Sequence, residues 1–144
     1  MAESVAARLR KHGFKCKTVE ITVRDNGLYS FSRQIHLRQP TNITNEIVTA
    51  AFRLFKDNYK WEHSIRSLGI RAADLVLDDI PVQLDLFGNQ EKKEKLEKLD
   101  RTVDEIRRRF GYFSIQRATM YQDKVLSHLD AGTHTIHPHS YFHR

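Results

Sequence analysis

The chain has 144 residues, 40% apolar and 29% charged, an ordinary soluble composition that allows one modest core with appendages. No apolar run approaches the ~20 residues a membrane span needs, nothing resembles a signal peptide, and a lone cysteine, Cys16, excludes an internal disulfide; the expected location is a reducing cytoplasm. The net charge of +6 is uneven: residues 1–77 hold 13 Lys and Arg against 7 Asp and Glu, whereas residues 78–144 hold 11 of each. All the excess positive charge thus sits on the first half. It marks either a face for a polyanion, most often nucleic acid, or a solvated basic surface without a partner.

The segment Met1-Ala2-Glu3-Ser4 runs straight into a helical pattern, as if the chain were cut from within a longer protein. Val5, Ala6 and Leu9 share a helical face, and Gly13 suits the position just past the helix end. Cys16, between Lys15 and Lys17, reads as a residue entering a strand and not as a nucleophile. From Thr18 to Arg24 the alternation is clean: Val19, Ile21 and Val23 point one way, and Thr18, Glu20, Thr22 and Arg24 the other. Asp25-Asn26-Gly27 signals a hairpin turn. The return strand carries Tyr29, Phe31, Ile35 and Leu37 on its apolar parity, with Ser30, Ser32, Gln34, His36 and Arg38 opposite. Arg33 falls on the apolar parity, which predicts a bulge or register shift there. Pro40 is expected to end the strand.

A second helix is expected to start near Thr44 as N-cap, with Ile43 and Val48 placed as a hydrophobic staple. Its predicted buried stripe is Ile47, Val48, Ala51, Leu54 and Phe55. Residues 64–71 then read as a strand containing Gly69, continued by Leu75, Val76 and Leu77. The expected fold class is α+β: an antiparallel sheet with two helices on one face and an open polar face. A linker, a long charged helix and an irregular tail follow. The predicted divisions are 1–77, 78–90, 91–111 and 112–144. Hydroxyls and arginines on the open face could donate to phosphate oxygens without reading sequence, although polar outer faces are common on half-exposed sheets.

Within the linker, residues 82–88 place Leu84, Leu86 and Phe87 in polar surroundings. Exposed apolar surface is costly, at ~25 cal/mol per Å². The stretch therefore reads either as a short strand of this domain or as a peptide for a partner's groove, with Leu86 and Phe87 as anchors and Gln83 as polar hook. Further on, Leu96, Leu99, Val103, Ile106 and Phe110 step by three and four, and Gly111 closes the helix. Two heptads are short for a free coiled coil, so docking on a neighbouring domain is expected over dimerisation. Arg107, Arg108 and Arg109 suit the helix C-terminus as readily as they suit DNA. The tail histidines His134, His137, His139 and His143 have no Cys or nearby carboxylate to complete a four-ligand metal site.

Taken in order, residues 4–14, 17–24, 31–33, 41–55 and 64–71 resemble the little-finger domain of Y-family translesion DNA polymerases. Residues 83–87 look like that family's sliding-clamp-binding peptide, and 99–111 are similar to its C-terminal segment. The ending, with Asp123-Lys124 and residues 136–142, is most similar to UmuC-like repair polymerases of Gram-positive bacteria. The resemblance implies that Ser32, Arg33, Arg66, Ser67 and Arg71 contact the phosphates of primer and template. Many relatives carry a second basic residue where this chain has Ser67, which implies a weaker contact there. It also implies that Gln83, Leu84, Asp85, Leu86 and Phe87 enter a cleft of the bacterial sliding clamp, and so favours the docking peptide over the strand.

Two departures qualify the match. Family little fingers usually begin with a strand that this chain lacks, so the sheet is expected to have an exposed edge able to pair with a second copy. The family's catalytic carboxylates, with two metal ions, lie in a palm domain absent here. The expectation is therefore a non-catalytic chain without a cofactor of its own, Mg²⁺ belonging to the parent's palm, located in the bacterial cytoplasm at the nucleoid. The alternative is a protein-interaction module with an incidental basic surface.

Overall fold

A computed structural model describes residues 1–79, 90–123 and 125 of the chain. It divides into two compact units, Met1–Thr102 and Val103–Arg144. In the first, helix α1 (Ala2–Lys11) leads into strand β1 (Phe14–Asp25), which turns back as β2 (Ser30–Thr41). Helix α2 (Thr44–Asn58), strand β3 (Ile65–Leu77) and helix α3 (Gln90–Phe110) follow, and α3 continues into the second unit. The sheet is antiparallel in the order β2-β1-β3, the expected α+β arrangement. Among the described residues no further strand covers the outer edge of β2 or β3.

The core lies between the sheet and helices α1 and α2. The alternation in β1 buries Val19, Ile21 and Val23 against Ala6 and Leu9 of α1 and Ile47, Ala51 and Leu54 of α2. Cys16 is wholly buried there, its thiol donating to the Thr41 carbonyl at 3.4 Å. Burial pushes that thiol up to about 11, with the charge of Glu46 a lesser cause. It stays protonated and unreactive at neutral pH, as its position entering a strand suggests. Gly13, at φ 69°, ends α1, and Gly111, at φ 94°, follows α3, both as the sequence predicts.

Three local expectations need correction. Register is regular through Arg33, which pairs with Ile21, so no bulge occurs there. The irregularity comes later: Thr18 pairs with His36 but Cys16 with Thr41, so Lys17 alone faces residues 37–40. Pro40 has no N–H for the ladder, which favours a break at this point. The strand resumes beyond it to Thr41. At α2, the N-cap is Ile43 and not Thr44, and no side chain of the cap itself supplies a hydrogen bond. The acceptor comes from α3: Asp100 Oδ2 receives the Thr44 N–H at 2.7 Å. Val48 is exposed and Ala50 buried, so the helix is rotated away from the staple geometry.

The hairpin forms at the predicted turn, with an unexpected residue under strain. Asn26 and Gly27 make the turn, closed by Leu28 N–H to the Asp25 carbonyl at 3.2 Å. The residue with positive φ is Leu28, at 69°, and not Gly27. An L-residue there costs about 1–2 kcal/mol, whereas glycine's greater unfolded-state freedom costs roughly 0.5–1 kcal/mol. Leu28→Gly is expected to raise stability by about 0.5 kcal/mol, read as a higher denaturant midpoint. A lower midpoint would mean that the leucine's packing outweighs its strain.

Helix α3 docks in the first unit through polar anchors. Asp100 is 6% exposed and meets Arg10 Nη1 at 3.1 Å. Arg10 Nη1 also donates to the Asn42 carbonyl at 2.7 Å and to Thr44 Oγ1 at 3.2 Å. Lys93 Nζ reaches Gln39 Oε1 at 2.9 Å, and Asp78 bridges Lys15 at 2.7 Å and Arg101 at 3.7 Å. Docking was the expectation, and the predicted apolar stripe is only partly covered: Leu96, Val103 and Ile106 are half-buried, whereas Leu99 is 54% exposed. Phe110, the last of that stripe, is exposed as well.

In the second unit, Arg107 lies over the Tyr112 ring at 4.7 Å and donates to the Ile115 carbonyl. This ties the end of α3 to the short 3₁₀ turns Tyr112–Ser114 and Ala118–Gln122. Arg109 pairs with Glu105 one turn back, a surface contact of small energetic weight.

Candidate nucleic-acid interface

The sheet face turned away from the helices is built by strand register. Residues directly paired across an antiparallel ladder share a face, so the pairings define cross-strand rows. At the hairpin end the row is Ser30, Arg24 and Ser67; the next is Ser32, Thr22 and Gly69. Then come Gln34, Glu20 and Arg71, and finally His36, Thr18 and Ala73. No member of these rows is a large apolar residue. Thr22 Oγ1 and Ser32 Oγ lie 3.2 Å apart, while Ser30, Ser67, Arg24 and Arg71 stand at the surface. At Gly69 an added Cβ would meet only Thr22, at 3.7 Å. The glycine thus keeps the face flat without being sterically required.

The face is electrically graded. Arg24 makes the hairpin end basic. At the opposite end Asp74, at φ 51°, accepts the Thr18 hydroxyl at 2.5 Å. His36 Nδ1 lies 2.8 Å from that hydroxyl and 3.9 Å from the Asp74 carboxylate. Glu20 sits between Gln34 and Arg71. An anionic strand therefore finds its best ground on the first two rows, which hold hydroxyls and Arg24 but no carboxylate.

Of the five candidate phosphate contacts, the register puts Ser32, Ser67 and Arg71 on this face. Arg33 is not brought to it. Paired with Ile21, it lies on the helix side of the edge strand, its guanidinium 5.5 Å from the Phe31 ring centroid and donating to the Ser32 carbonyl at 2.8 Å. Arg66 is the extra residue of a bulge, since Arg24 pairs with Ser67 and Asp25 with Ile65. A bulge re-aims its side chain out of the strict alternation, and Arg66 is exposed at the basic end. Arg24, Thr22 and Ser30 are the members that the candidate set leaves out. Their outward parity on β1 and β2 is the signal that identifies them. The clamp-peptide residues Gln83, Leu84, Asp85, Leu86 and Phe87, and the tail histidines, lie outside the described residues.

A concavity of about 550 Å³ lies on the helix side between β2, α2 and the start of α3. Ile35, Leu37, Ala50 and Leu96 form its apolar walls, and Arg38, Arg53, Lys92 and Lys93, with Glu46 among them, its charged rim. Among the described residues no group of three or more His, Cys, Asp or Glu side chains could hold a metal ion. Nor is any helix among them long and apolar enough to cross a membrane.

Fold and face together define a small α+β module whose sheet is covered by helices on one side and presents hydrogen-bond donors on the other. The chain belongs to the impB/mucB/samB family, whose C-terminal domain it matches over residues 1–86. It is 41% identical over 129 residues to a protein of Acetivibrio thermocellus named DNA polymerase IV, covering 90% of this chain and 32% of that protein. It is 31% identical over 127 residues to a DNA polymerase IV of Dehalococcoides mccartyi, covering 88% and 31%. With DNA polymerase IV 2 of Bacillus subtilis it shares 35% identity over 121 residues, covering 82% and 28%. The resemblance to the C-terminal region of Y-family polymerases is thereby borne out. The chain spans about a third of the length of these relatives.

Proposed function

We propose that this chain holds primer–template DNA by its phosphates and tethers a translesion DNA polymerase to the sliding clamp. The observation that carries the first part is the flat polar face, with Arg24, Thr22, Ser30, Ser32 and Ser67 in adjacent rows at its basic end. Such donors engage phosphate oxygens and do not query base identity. A grip of this kind tolerates a damaged template. Its affinity should fall steeply with salt, because each phosphate contact releases counterions. The relatives' name, DNA polymerase IV, supports nucleotidyl transfer as the activity of the longer protein; in this reading the present chain contributes binding and not chemistry.

The second part rests on residues 83–87, Gln-Leu-Asp-Leu-Phe, an apolar pair behind a glutamine that suits a hydrophobic cleft. Tethering would raise the polymerase's effective concentration at the primer end, compensating for a sequence-blind grip. Leu86→Ala with Phe87→Ala is expected to lower affinity for the cognate clamp by roughly 700-fold or more, since two anchors of ~2 kcal/mol or more each are removed, while DNA affinity stays within twofold. Surface plasmon resonance on immobilised clamp, beside a DNA titration at two salt concentrations, reads both. Unchanged clamp binding in the double variant would remove the tether from this reading. Salt-insensitive or absent DNA binding would leave a protein-interaction module.

A further inference from the structure

Trp61 is 76% exposed, and it is the only tryptophan of the chain. The ring is nonetheless held in place. It packs edge-to-face on Phe55 and Tyr59, with centroids 5.8 and 5.3 Å away. Tyr59 in turn stacks on Phe55 at 5.2 Å and on Phe31 at 6.4 Å. The Tyr59 hydroxyl donates to the His63 carbonyl at 2.5 Å, closing the loop beneath Trp61. The indole is thus presented by a scaffold, so little rotamer freedom remains to be lost when it is covered.

Three observations point to what covers it. The loop is joined to the hairpin turn by Asn26 N–H to the Ser64 carbonyl at 2.9 Å, which puts Trp61 at the same end of the sheet as Arg24, Ser30 and Ser67. In the chain it stands between Lys60 and Glu62, and Arg33 lies over the Phe31 ring of the same aromatic cluster. Finally, its chain neighbours Lys60, Glu62, His63 and Ser64 are polar and exposed. A flat aromatic face held rigid by ring packing, with an arginine over the Phe31 ring of the same cluster, suits a nucleic-acid base.

We propose that Trp61 is a stacking platform for an unpaired base of DNA, extending the phosphate-holding face past the duplex onto single strand. This rests on the reading of that face as a DNA surface. It also gives Arg33 a task that its helix-side position denies it on the sheet: steadying the backbone of the unpaired strand beside the aromatic cluster.

The experiment uses the 144-residue chain and its one indole as reporter. Fluorescence of Trp61 is titrated with (dT)12, with an abasic 12-mer of equal charge and with a blunt duplex, while anisotropy of labelled DNA reports binding. The expected result is strong quenching by (dT)12 and none by the abasic strand. Trp61→Ala should weaken (dT)12 binding roughly tenfold or more, with Trp61→Phe restoring most of it and duplex affinity within twofold throughout. Binding of (dT)12 without quenching, equal quenching by the abasic strand, or undiminished binding by Trp61→Ala overturns the stacking site and leaves the duplex grip standing. If neither (dT)12 nor duplex binds, the reading of the face as a DNA surface falls, and the platform with it.

Discussion

Asp100→Ala is expected to cost about 3–5 kcal/mol of stability in chemical denaturation, the range for breaking a buried ion pair by removing one partner. Asp100 Oδ2 meets both the Arg10 guanidinium, at 3.1 Å, and the Thr44 N–H, at 2.7 Å. Truncation leaves a nearly buried cation without its carboxylate. It also strips the first turn of α2 of an acceptor, and with it a negative charge where the helix dipole favours one. Against a typical total of about 5–15 kcal/mol, such a loss leaves a fold that is marginal at best. The double change Arg10→Met with Asp100→Leu tests the account. Replacing both charges by apolar groups removes the desolvation cost together with the attraction, so most of the lost stability should return. Recovery of less than about 1 kcal/mol would mean that the hydrogen bond to α2, and not the ion pair, is what matters. A loss below about 1 kcal/mol for Asp100→Ala itself would mean that water already screens the pair.

What the sequence disclosed and what it hid differ for physical reasons. Periodicity exposed α1, the β1 face and the existence of α2, because each buries an apolar stripe in the shared core, and stripes leave a period. The glycines after α1 and α3 were legible because a left-handed terminus favours one residue type. Asp100 was invisible for the converse reason. In a helix rich in Lys and Glu it looks like another solvated charge, and its partners lie 90 and 56 residues away. The same tertiary acceptor made Thr44 a misleading cap: its residue type fits the role, but a carboxylate from α3 already serves the first-turn N–H. The Leu96–Phe110 stripe was legible only in part, since Leu99 and Phe110 are exposed and the polar anchors Lys93, Asp100 and Arg101 leave no apolar period. On the candidate face, Ser32, Ser67 and Arg71 could be placed by alternation alone. Arg33 stands on the side its parity indicates. Arg66 could not be placed, because a bulge announces itself only through pairing.

The second large effect is on the proposed DNA face. At about 0.1 M salt each phosphate contact is worth about 0.9 decade in affinity through counterion release. If Arg24 and Arg71 each hold one phosphate, Arg24→Ala with Arg71→Ala should weaken duplex binding roughly 60-fold and lower the slope of log affinity against log salt by about 2. Both side chains are exposed, so the melting transition should stay put and loss of binding cannot be ascribed to unfolding. The two positions are not equivalent. Arg71 is paired across from Glu20, whereas the row of Arg24 holds no carboxylate, so Arg24→Ala should account for the larger share. Arg33→Ala, altering a side chain on the helix side, should leave duplex affinity within twofold. That contrast separates a face from a mere sum of positive charge. If binding is held by net charge alone, any one of the three arginines will do, and the Arg33 and Arg24 variants will lose affinity equally. If it is held by geometry, only substitutions on the rows of the open sheet will change the salt slope. Gly69→Glu sharpens the distinction. Its Cβ would meet Thr22 at an ordinary contact distance of 3.7 Å, and the change adds a carboxylate to the proposed phosphate track without removing any donor, so it should weaken binding at least as much as Arg24→Ala does.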